Sequence, residues 1–228
     1  AQILSQLAPS FPDKTITLGN WTDSNDRALL TIEDSSVVQE VFLLDLKQGS
    51  LKPIGRTSNV PKDRLHKMVS KKFTTRDGES IYGYLTKPKG KVERLIVYIH
   101  GGPYGIRDFD SYDFSEQYLA SKGAAVLKVN YRGSGGYGTN FMEDAYKEWG
   151  GRLLNDIADA TQAVQKELGI GREKTCAFGA SYGGYAALAM AYKYSELYEC
   201  VAGGMGVYDM QILRDCLLYT SDAADEGV

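Results

Sequence analysis

The 228-residue sequence has little of several residue types, and each shortage excludes a class of protein. Three cysteines are too few for a disulfide framework or a zinc cluster, and two histidines leave little for metal ligation. No apolar stretch approaches the about 20 residues that span a bilayer, which excludes a transmembrane protein. Basic residues are not in excess, and the net charge of -3 argues against nucleic acid as the main partner. The remaining class is a globular chain with one large core, or one domain plus a fragment of another.

Both ends of the sequence indicate a piece of a longer protein. The chain opens Ala1-Gln2-Ile3, without an initiator methionine or a signal-peptide pattern, so cytoplasmic and periplasmic locations are both open. Residues 216–226 read CLLYTSDAADE, which is the codon-by-codon translation of a transposase adapter used in sequencing libraries. We therefore predict that residues 216–228 are adapter read-through and exclude them from the reasoning on fold.

The pattern of apolar residues changes near residue 67. Residues 15–54 predict an antiparallel meander that cannot bury both of its faces and should belong to something larger, and residues 56–67 predict a linker. From residue 68 a hairpin is followed by alternating strands and helices, which predicts a mostly parallel sheet with helices on both faces. The predicted strands cover residues 28–32, 41–46, 51–54, 68–75, 80–86, 95–99, 124–129, 174–178 and 200–204, and the predicted helices residues 114–121, 153–168 and 182–192.

The motif Gly179-Ala180-Ser181-Tyr182-Gly183 matches G-x-S-x-G between a predicted strand and a predicted helix. A serine on so sharp a turn exposes its hydroxyl as a nucleophile, and the helix that follows directs unpaired N–H groups at the reacting oxygen. Glycine is expected at Gly179 and Gly183 because a side chain there would collide with a neighbouring strand or helix. We predict that Ser181 is a catalytic nucleophile.

The loop His100-Gly101-Gly102-Pro103 follows the first buried strand of the parallel region. An H-G-G loop at this point supplies a second oxyanion N–H group in α/β-hydrolases. We predict an oxyanion hole formed by the N–H groups of Gly102 and Tyr182. His100 is not expected to be the general base, because the triad order in this fold is Ser, then Asp or Glu, then His.

Other candidate sites carry less weight. Residues 133–138 match G-x-G-x-x-G, but an amphipathic helix stands where a dinucleotide fingerprint requires a second strand that ends in an acid, so no dinucleotide site is predicted. His66 is expected to be solvated, and Cys176 and Cys200 to be small core residues. Asp209 and Asp215 follow the strand near Gly204 too soon to be a triad acid. No metal or cofactor is expected.

Five motifs in this order resemble the prolyl oligopeptidase family of serine peptidases, which includes acylaminoacyl and dipeptidyl peptidases. They are His100-Gly101-Gly102-Pro103, Asn130-Tyr131-Arg132-Gly133-Ser134, Gly136-Tyr137-Gly138, Trp149-Gly150 and residues 179–185. The resemblance implies an α/β-hydrolase domain over residues 67–215, incomplete before its last strands, with Ser181 as nucleophile. It also implies that residues 1–66 are the end of a β-propeller plus a linker, and that the triad Asp and His lie beyond the chain.

The expected function is therefore that of a serine peptidase acting on short peptides, without a nucleic acid or membrane partner. A carboxylesterase of the same fold is an alternative, although it would favour a third glycine where Pro103 stands and would lack the upstream meander. A non-catalytic binding protein that has kept the motif around Ser181 is the alternative from another class. The sequence leaves the oligomeric state open.

Overall fold

The computed structural model describes residues 2–12, 14–35, 37–209, 211–213 and 215. Contacts divide the chain into two units. The first unit consists of Ala1–Ser70, Tyr84–Glu93 and Phe109–Val126, and the second unit of Lys71–Gly83, Arg94–Asp108 and Leu127–Val228. The segment predicted to be adapter read-through lies outside the described residues. The predicted domain boundaries at residues 66 and 215 stay predictions.

A four-stranded antiparallel sheet forms in the first unit. A short helix, α1 (Gln2–Leu7), precedes it, and its strands run in chain order as β1 (Thr15–Gly19), β2 (Arg27–Asp34), β3 (Val37–Asp45) and β4 (Ser50–Arg56). Burial alternates along β2, as expected for a strand with one face on a core and one towards solvent. The meander predicted for residues 15–54 is confirmed.

Alternating strands and helices follow, also as predicted. The strands are β5 (Met68–Thr74), β6 (Ser80–Thr86), β7 (Arg94–Ile99), β8 (Ala124–Asn130), β9 (Thr175–Ala180) and β10 (Cys200–Gly204), and the helices are α2 (Phe114–Ser121), α3 (Thr139–Glu143), α4 (Arg152–Leu168) and α5 (Tyr182–Lys193). Gly169 ends α4 in the left-handed conformation, which glycine adopts without strain.

The six strands from β5 to β10 form one sheet in the order β10-β9-β7-β8-β6-β5. The neighbours β7 and β9 are parallel, and so are β9 and β10. Every residue of β8 is buried, which explains why this strand reads as a nearly continuous apolar run. Because the carboxyl ends of β7 and β9 lie side by side, the loop that begins at His100 and the turn at Ser181 meet at one edge of the sheet.

The expectation that Cys176 and Cys200 are core thiols is wrong. The two residues are register partners on the parallel strands β9 and β10, with Cα atoms 4.7 Å apart, and their sulfurs form a disulfide. Cys200 is exposed because it begins an edge strand, and Cys176 lies on the less buried face of β9, between the buried Thr175 and Ala177. Neighbouring residues on adjacent strands project to the same side, which brings the sulfurs together.

His66 is buried, with 7% of its surface exposed, and the expectation of a solvated residue is wrong. Gln117 in α2 holds its backbone at two points. The Gln117 side chain accepts a hydrogen bond from the His66 N–H at 2.7 Å and donates one to the His66 carbonyl at 2.8 Å. Burial lowers the pKa of the His66 imidazole below its ordinary value, and the charge of Lys89 acts in the same direction.

A buried ion pair ties the loop after β8 to α4. Asp156 is fully buried and accepts hydrogen bonds from the Arg132 backbone N–H at 2.9 Å and from its guanidinium at 2.6 and 3.0 Å. Asp77, which is 43% exposed, binds the same guanidinium at 2.7 and 3.2 Å. These hydrogen bonds lower the pKa of Asp77 to about 2. Asp156 thus has a structural partner in Arg132.

Loss of the Asp156 charge should destabilise the fold far more than loss of the Asp77 charge. Asp156→Asn leaves the Arg132 guanidinium, 3% exposed, without its buried counter-charge, and should lower the free energy of unfolding by about 3 kcal/mol. Asp77→Asn changes a partly exposed pair, so we expect less than about 1 kcal/mol. Chemical denaturation of both variants measures the difference, and equal losses would contradict the assigned roles.

Candidate active site

Ser181 lies on a turn between β9 and α5. The strand ends at Ala180, the helix begins at Tyr182, and Ser181 between them has φ 57° and ψ −126°. A residue other than glycine in this region of backbone space is strained by about 1–3 kcal/mol and persists only where its surroundings hold it. The structure thus places the predicted nucleophile on the strand-turn-helix element that the G-x-S-x-G motif indicates.

The glycines on either side of Ser181 have no room for a side chain. A Cβ atom on Gly183 would lie 2.1 Å from the carbonyl oxygen of Ile99, at the end of β7. A Cβ atom on Gly179 would lie 2.4 Å from the carbonyl oxygen of Gly183 and 2.7 Å from that of Ile99. These distances are far below any real contact, so the predicted collision has its physical source in the end of β7.

The end of β10 supports the turn from its other side. The Ser181 N–H donates to the carbonyl of Gly204 at 3.1 Å, while the Ser181 carbonyl accepts from the N–H groups of Gly184 and Tyr185. A Cβ atom on Gly184 would lie 2.6 Å from the Gly204 carbonyl oxygen, so this contact is also a close approach of two backbones. The backbone of Ser181 is therefore held by both flanking elements.

The loop that follows β7 lies directly beside Ser181. A Cβ atom on Gly101 would be 3.3 Å from the Ser181 Cβ and 3.8 Å from its Oγ. Gly102 has φ +118°, a conformation that favours glycine. Tyr182 is the first residue of α5, and its N–H is among the four that a helix leaves without an internal acceptor. Gly101 is therefore a direct neighbour of Ser181, and the roles of Ser181, Gly102 and Tyr182 stay predictions.

The His100 side chain holds this loop instead of facing Ser181. Its Nδ1–H donates to the Gly101 carbonyl at 2.8 Å, so the neutral ring presents Nε2 as acceptor to the Ser134 hydroxyl at 3.1 Å. The ring stacks on Tyr131 with centroids 4.3 Å apart, and the Tyr131 hydroxyl donates to the His100 carbonyl at 2.9 Å. Burial lowers the pKa of His100 to about 4, so the imidazole is neutral at pH 7.

Aromatic side chains link the loop to the start of α5. The Tyr182 hydroxyl donates to the Trp149 carbonyl at 2.8 Å, and the Trp149 indole donates to the Tyr104 hydroxyl at 2.8 Å. Burial raises the pKa of Tyr182 well above its ordinary value, so this hydroxyl stays a donor. This network was not predicted from the sequence. The available signal was that the motifs Trp149-Gly150 and residues 130–134, which include Tyr131, contain aromatic residues with hydrogen-bonding groups.

Among the described residues, neither histidine is hydrogen-bonded to the Ser181 hydroxyl. The His100 ring is engaged with Ser134 and Gly101, and the His66 backbone is bonded to Gln117. Asp209 caps the N–H groups of Gln211 and Ile212. Over the part of the chain that the structure describes, no cluster of three or more metal-ligating side chains occurs, and no helix is both long and apolar enough to cross a membrane.

Comparison with known protein families yields a match over residues 110–226, about half of the chain, to the model described as "Prolyl oligopeptidase family". The chain belongs to this family. A curated relative, "Dipeptidyl aminopeptidase BIII" of Pseudoxanthomonas mexicana, is 33% identical over 151 residues, which are 62% of this chain and 22% of the relative. The resemblance inferred from the five motifs is thereby confirmed.

Solved structures of prolyl oligopeptidase family peptidases show the same fold. A puromycin-hydrolyzing peptidase of Mycobacterium tuberculosis aligns with TM-score 0.71 and 25% identity, covering 82% of this chain and 30% of that one. Pyrococcus horikoshii acylaminoacyl peptidase aligns with TM-score 0.64 and 25% identity, covering 76% of this chain and 28% of that one. The predicted α/β-hydrolase fold class is confirmed. The chain spans less than a third of the length of each of these three proteins.

The buried imidazole of His100 should make the folding stability of this protein fall in acid. Its pKa of about 4 lies below the ordinary 6.5, so the unfolded state binds more protons between these values, and stability falls as the pH falls through this window. The full difference corresponds to about 3 kcal/mol. His100→Asn should lose less stability between pH 6.5 and 4 than the wild type, as measured by urea unfolding at each pH.

Ser134→Ala serves as the control for this measurement, because it removes the hydrogen-bond partner of His100 but leaves the imidazole in place. We expect it to keep the acid sensitivity of the wild type. An unchanged pH dependence in His100→Asn would show that this ring does not titrate below its ordinary pKa.

Proposed function

We propose that the chain is the part of a serine peptidase that carries the nucleophile and the oxyanion hole. The observation that carries the proposal is the strained backbone of Ser181 at the start of α5, directly beside the glycine loop after β7. A strained nucleophile next to two unpaired backbone N–H groups is the arrangement that acyl transfer requires. Gly102 and Tyr182 provide those two N–H groups in this proposal.

The proposed reaction proceeds through an acyl-enzyme. The Ser181 Oγ attacks the carbonyl carbon of a peptide bond while a general base takes the hydroxyl proton, and the carbonyl oxygen becomes an oxyanion held by the two N–H groups. The intermediate collapses, the C–N bond breaks, and the amine leaves with the proton from the base. Water then releases the acid by the same steps in reverse. No metal or cofactor takes part in this chemistry.

The general base comes from the rest of the full-length protein in this proposal. Of the two histidines of the chain, His66 lies in the other unit and His100 is tied to Ser134 and Gly101. The relative and the solved structures are more than three times as long as the matched part, which leaves ample sequence for the Asp and His that follow serine in this fold.

Short peptides are the proposed substrates. Similar proteins include a dipeptidyl aminopeptidase, an acylaminoacyl peptidase and a puromycin-hydrolyzing peptidase, and these names favour small peptides as substrates. Pro103 in the loop and the antiparallel meander of the first unit favour a peptidase over a carboxylesterase. Turnover of peptide amides would support this choice. Turnover of the matching esters without turnover of the amides would favour a carboxylesterase.

Active-site labelling tests the proposal. The full-length protein should react at Ser181 with an organophosphonate serine probe, and Ser181→Ala should abolish the reaction, whereas the 228-residue chain alone should stay unlabelled because a serine without a base is a poor nucleophile. Mass spectrometry of the labelled peptide identifies the site. In a crystal structure of the adduct, the phosphonyl oxygen should lie about 3 Å from the N–H groups of Gly102 and Tyr182.

Two results would contradict the proposal. Labelling of the full-length protein at a serine other than Ser181 would refute the assignment of Ser181 as nucleophile. An adduct with its oxygen turned away from Gly102 would refute the proposed oxyanion hole. Stoichiometric labelling of the short chain at Ser181 would show that one of its own residues acts as the base.

A methyl group on Gly101 should impair the reaction more than the fold. Its backbone accepts a side chain, but the new Cβ would lie 3.3 Å from the Ser181 Cβ and 3.8 Å from the Oγ, beside the path of the attacking oxygen. We expect Gly101→Ala to lower kcat/KM at least about tenfold, since small displacements of reacting groups have large effects on rate. Gly55→Ala, in open space on β4, is the matched control, and equal activities of the two variants would refute this geometry.

A further inference from the structure

A second candidate binding site lies in the first unit, at a cavity of about 680 Å³. The residues that give it its chemical character are four cations, a histidine and a carboxylate. They are Arg64, Lys89, Lys91, Lys122, His66 and Glu93. We call this set the basic cavity. It has no part in the reaction proposed for Ser181.

The charges of the basic cavity are unbalanced. Four cationic side chains face one carboxylate, although the chain as a whole carries a net charge of -3. Within the described residues, none of the four cations has a carboxylate at ion-pair distance: the Lys89 ammonium binds the backbone carbonyl of Asp63, and that of Lys122 lies 5.5 Å from the ring of Tyr118. Like charges gathered without counter-charges repel one another, and a bound anion would relieve that repulsion.

His66 supplies a second observation. It lines the cavity, is 7% exposed, and its Nδ1 is buried without a hydrogen-bond partner among the described residues. A buried polar atom without a partner is unfavourable, so it marks a place where a ligand group can be bound. Two hydrogen bonds fix this residue in place: the His66 N–H donates to the Gln117 side chain at 2.7 Å, and that side chain donates to the His66 carbonyl at 2.8 Å.

We propose that the basic cavity binds a small, multiply charged phosphate-class anion. The guanidinium fork of Arg64 matches two phosphate oxygens, while the ammonium groups of Lys89, Lys91 and Lys122 act as point charges around it. The cations line one open pocket of about 680 Å³, a volume in the range of small-molecule sites, and the occupant we propose is a soluble phosphorylated molecule.

Titration of the full-length protein with pyrophosphate tests the proposal. Isothermal calorimetry at low ionic strength should show saturable binding that weakens as salt is added. The double variant Arg64→Ser/Lys91→Ser should bind at least about tenfold more weakly, since it removes two of the cationic donors proposed to form charge-assisted hydrogen bonds with the anion. Both residues are exposed, so their replacement should leave the fold and the peptidase activity unchanged.

The double variant Lys166→Ser/Lys174→Ser is the matched control, because it removes the same charge from exposed positions on the second unit. It should bind pyrophosphate as the wild type does. His66→Asn, which keeps a hydrogen-bonding group near the position of Nδ1, should bind more tightly than His66→Leu, which does not.

Three results would overturn the proposal. They are the absence of saturable pyrophosphate binding at millimolar concentration, equal weakening in the two double variants, and co-sedimentation with anionic phosphatidylserine vesicles in place of binding to pyrophosphate. The last result would identify the cations as a lipid-facing surface.

Discussion

The turn at Ser181 approaches the end of β7 and the loop after it very closely. This close approach of backbone segments is the constraint on which the rest of the candidate site depends. A Cβ atom on Gly183 would lie 2.1 Å from the carbonyl oxygen of Ile99 at the end of β7. A Cβ atom on Gly101, in the loop that follows, would lie 3.3 Å from the Cβ of Ser181. Backbones that approach so closely leave no room for side chains at these glycines. Ser181, the predicted nucleophile, is thereby placed against the loop with the predicted oxyanion donor.

The strain at Ser181 persists because its neighbours are fixed on every side. Gly204 at the end of β10 accepts from the Ser181 N–H, and Trp149 accepts from the hydroxyl of Tyr182. On the opposite side, the neutral ring of His100 and the hydroxyl of Tyr131 hold the glycine loop. Each of these contacts joins segments that are distant in sequence, so the geometry of the turn depends on the folded sheet and not on the turn alone.

Charge is handled in opposite ways at the Arg132 ion pair and at the basic cavity. In the second unit the buried Arg132 guanidinium is balanced by Asp156 and Asp77 at hydrogen-bond distance, which is the condition for keeping a charge inside a protein. In the first unit the cations of the basic cavity stay exposed and have no carboxylate partner among the described residues. The first arrangement is complete as it stands, whereas the second is suited to an anion from outside.

The sequence by itself determined the features that depend on neighbouring residues. The alternation of strands and helices, the left-handed Gly169 and the turn at Ser181 follow from local periodicity, helix termination and a five-residue motif. Only the tertiary structure decided the disulfide between Cys176 and Cys200, the ion pair of Arg132 with Asp156 and the burial of His66 under Gln117. The partners in these contacts are 24, 24 and 51 residues apart, and no local pattern specifies which distant side chain will meet which.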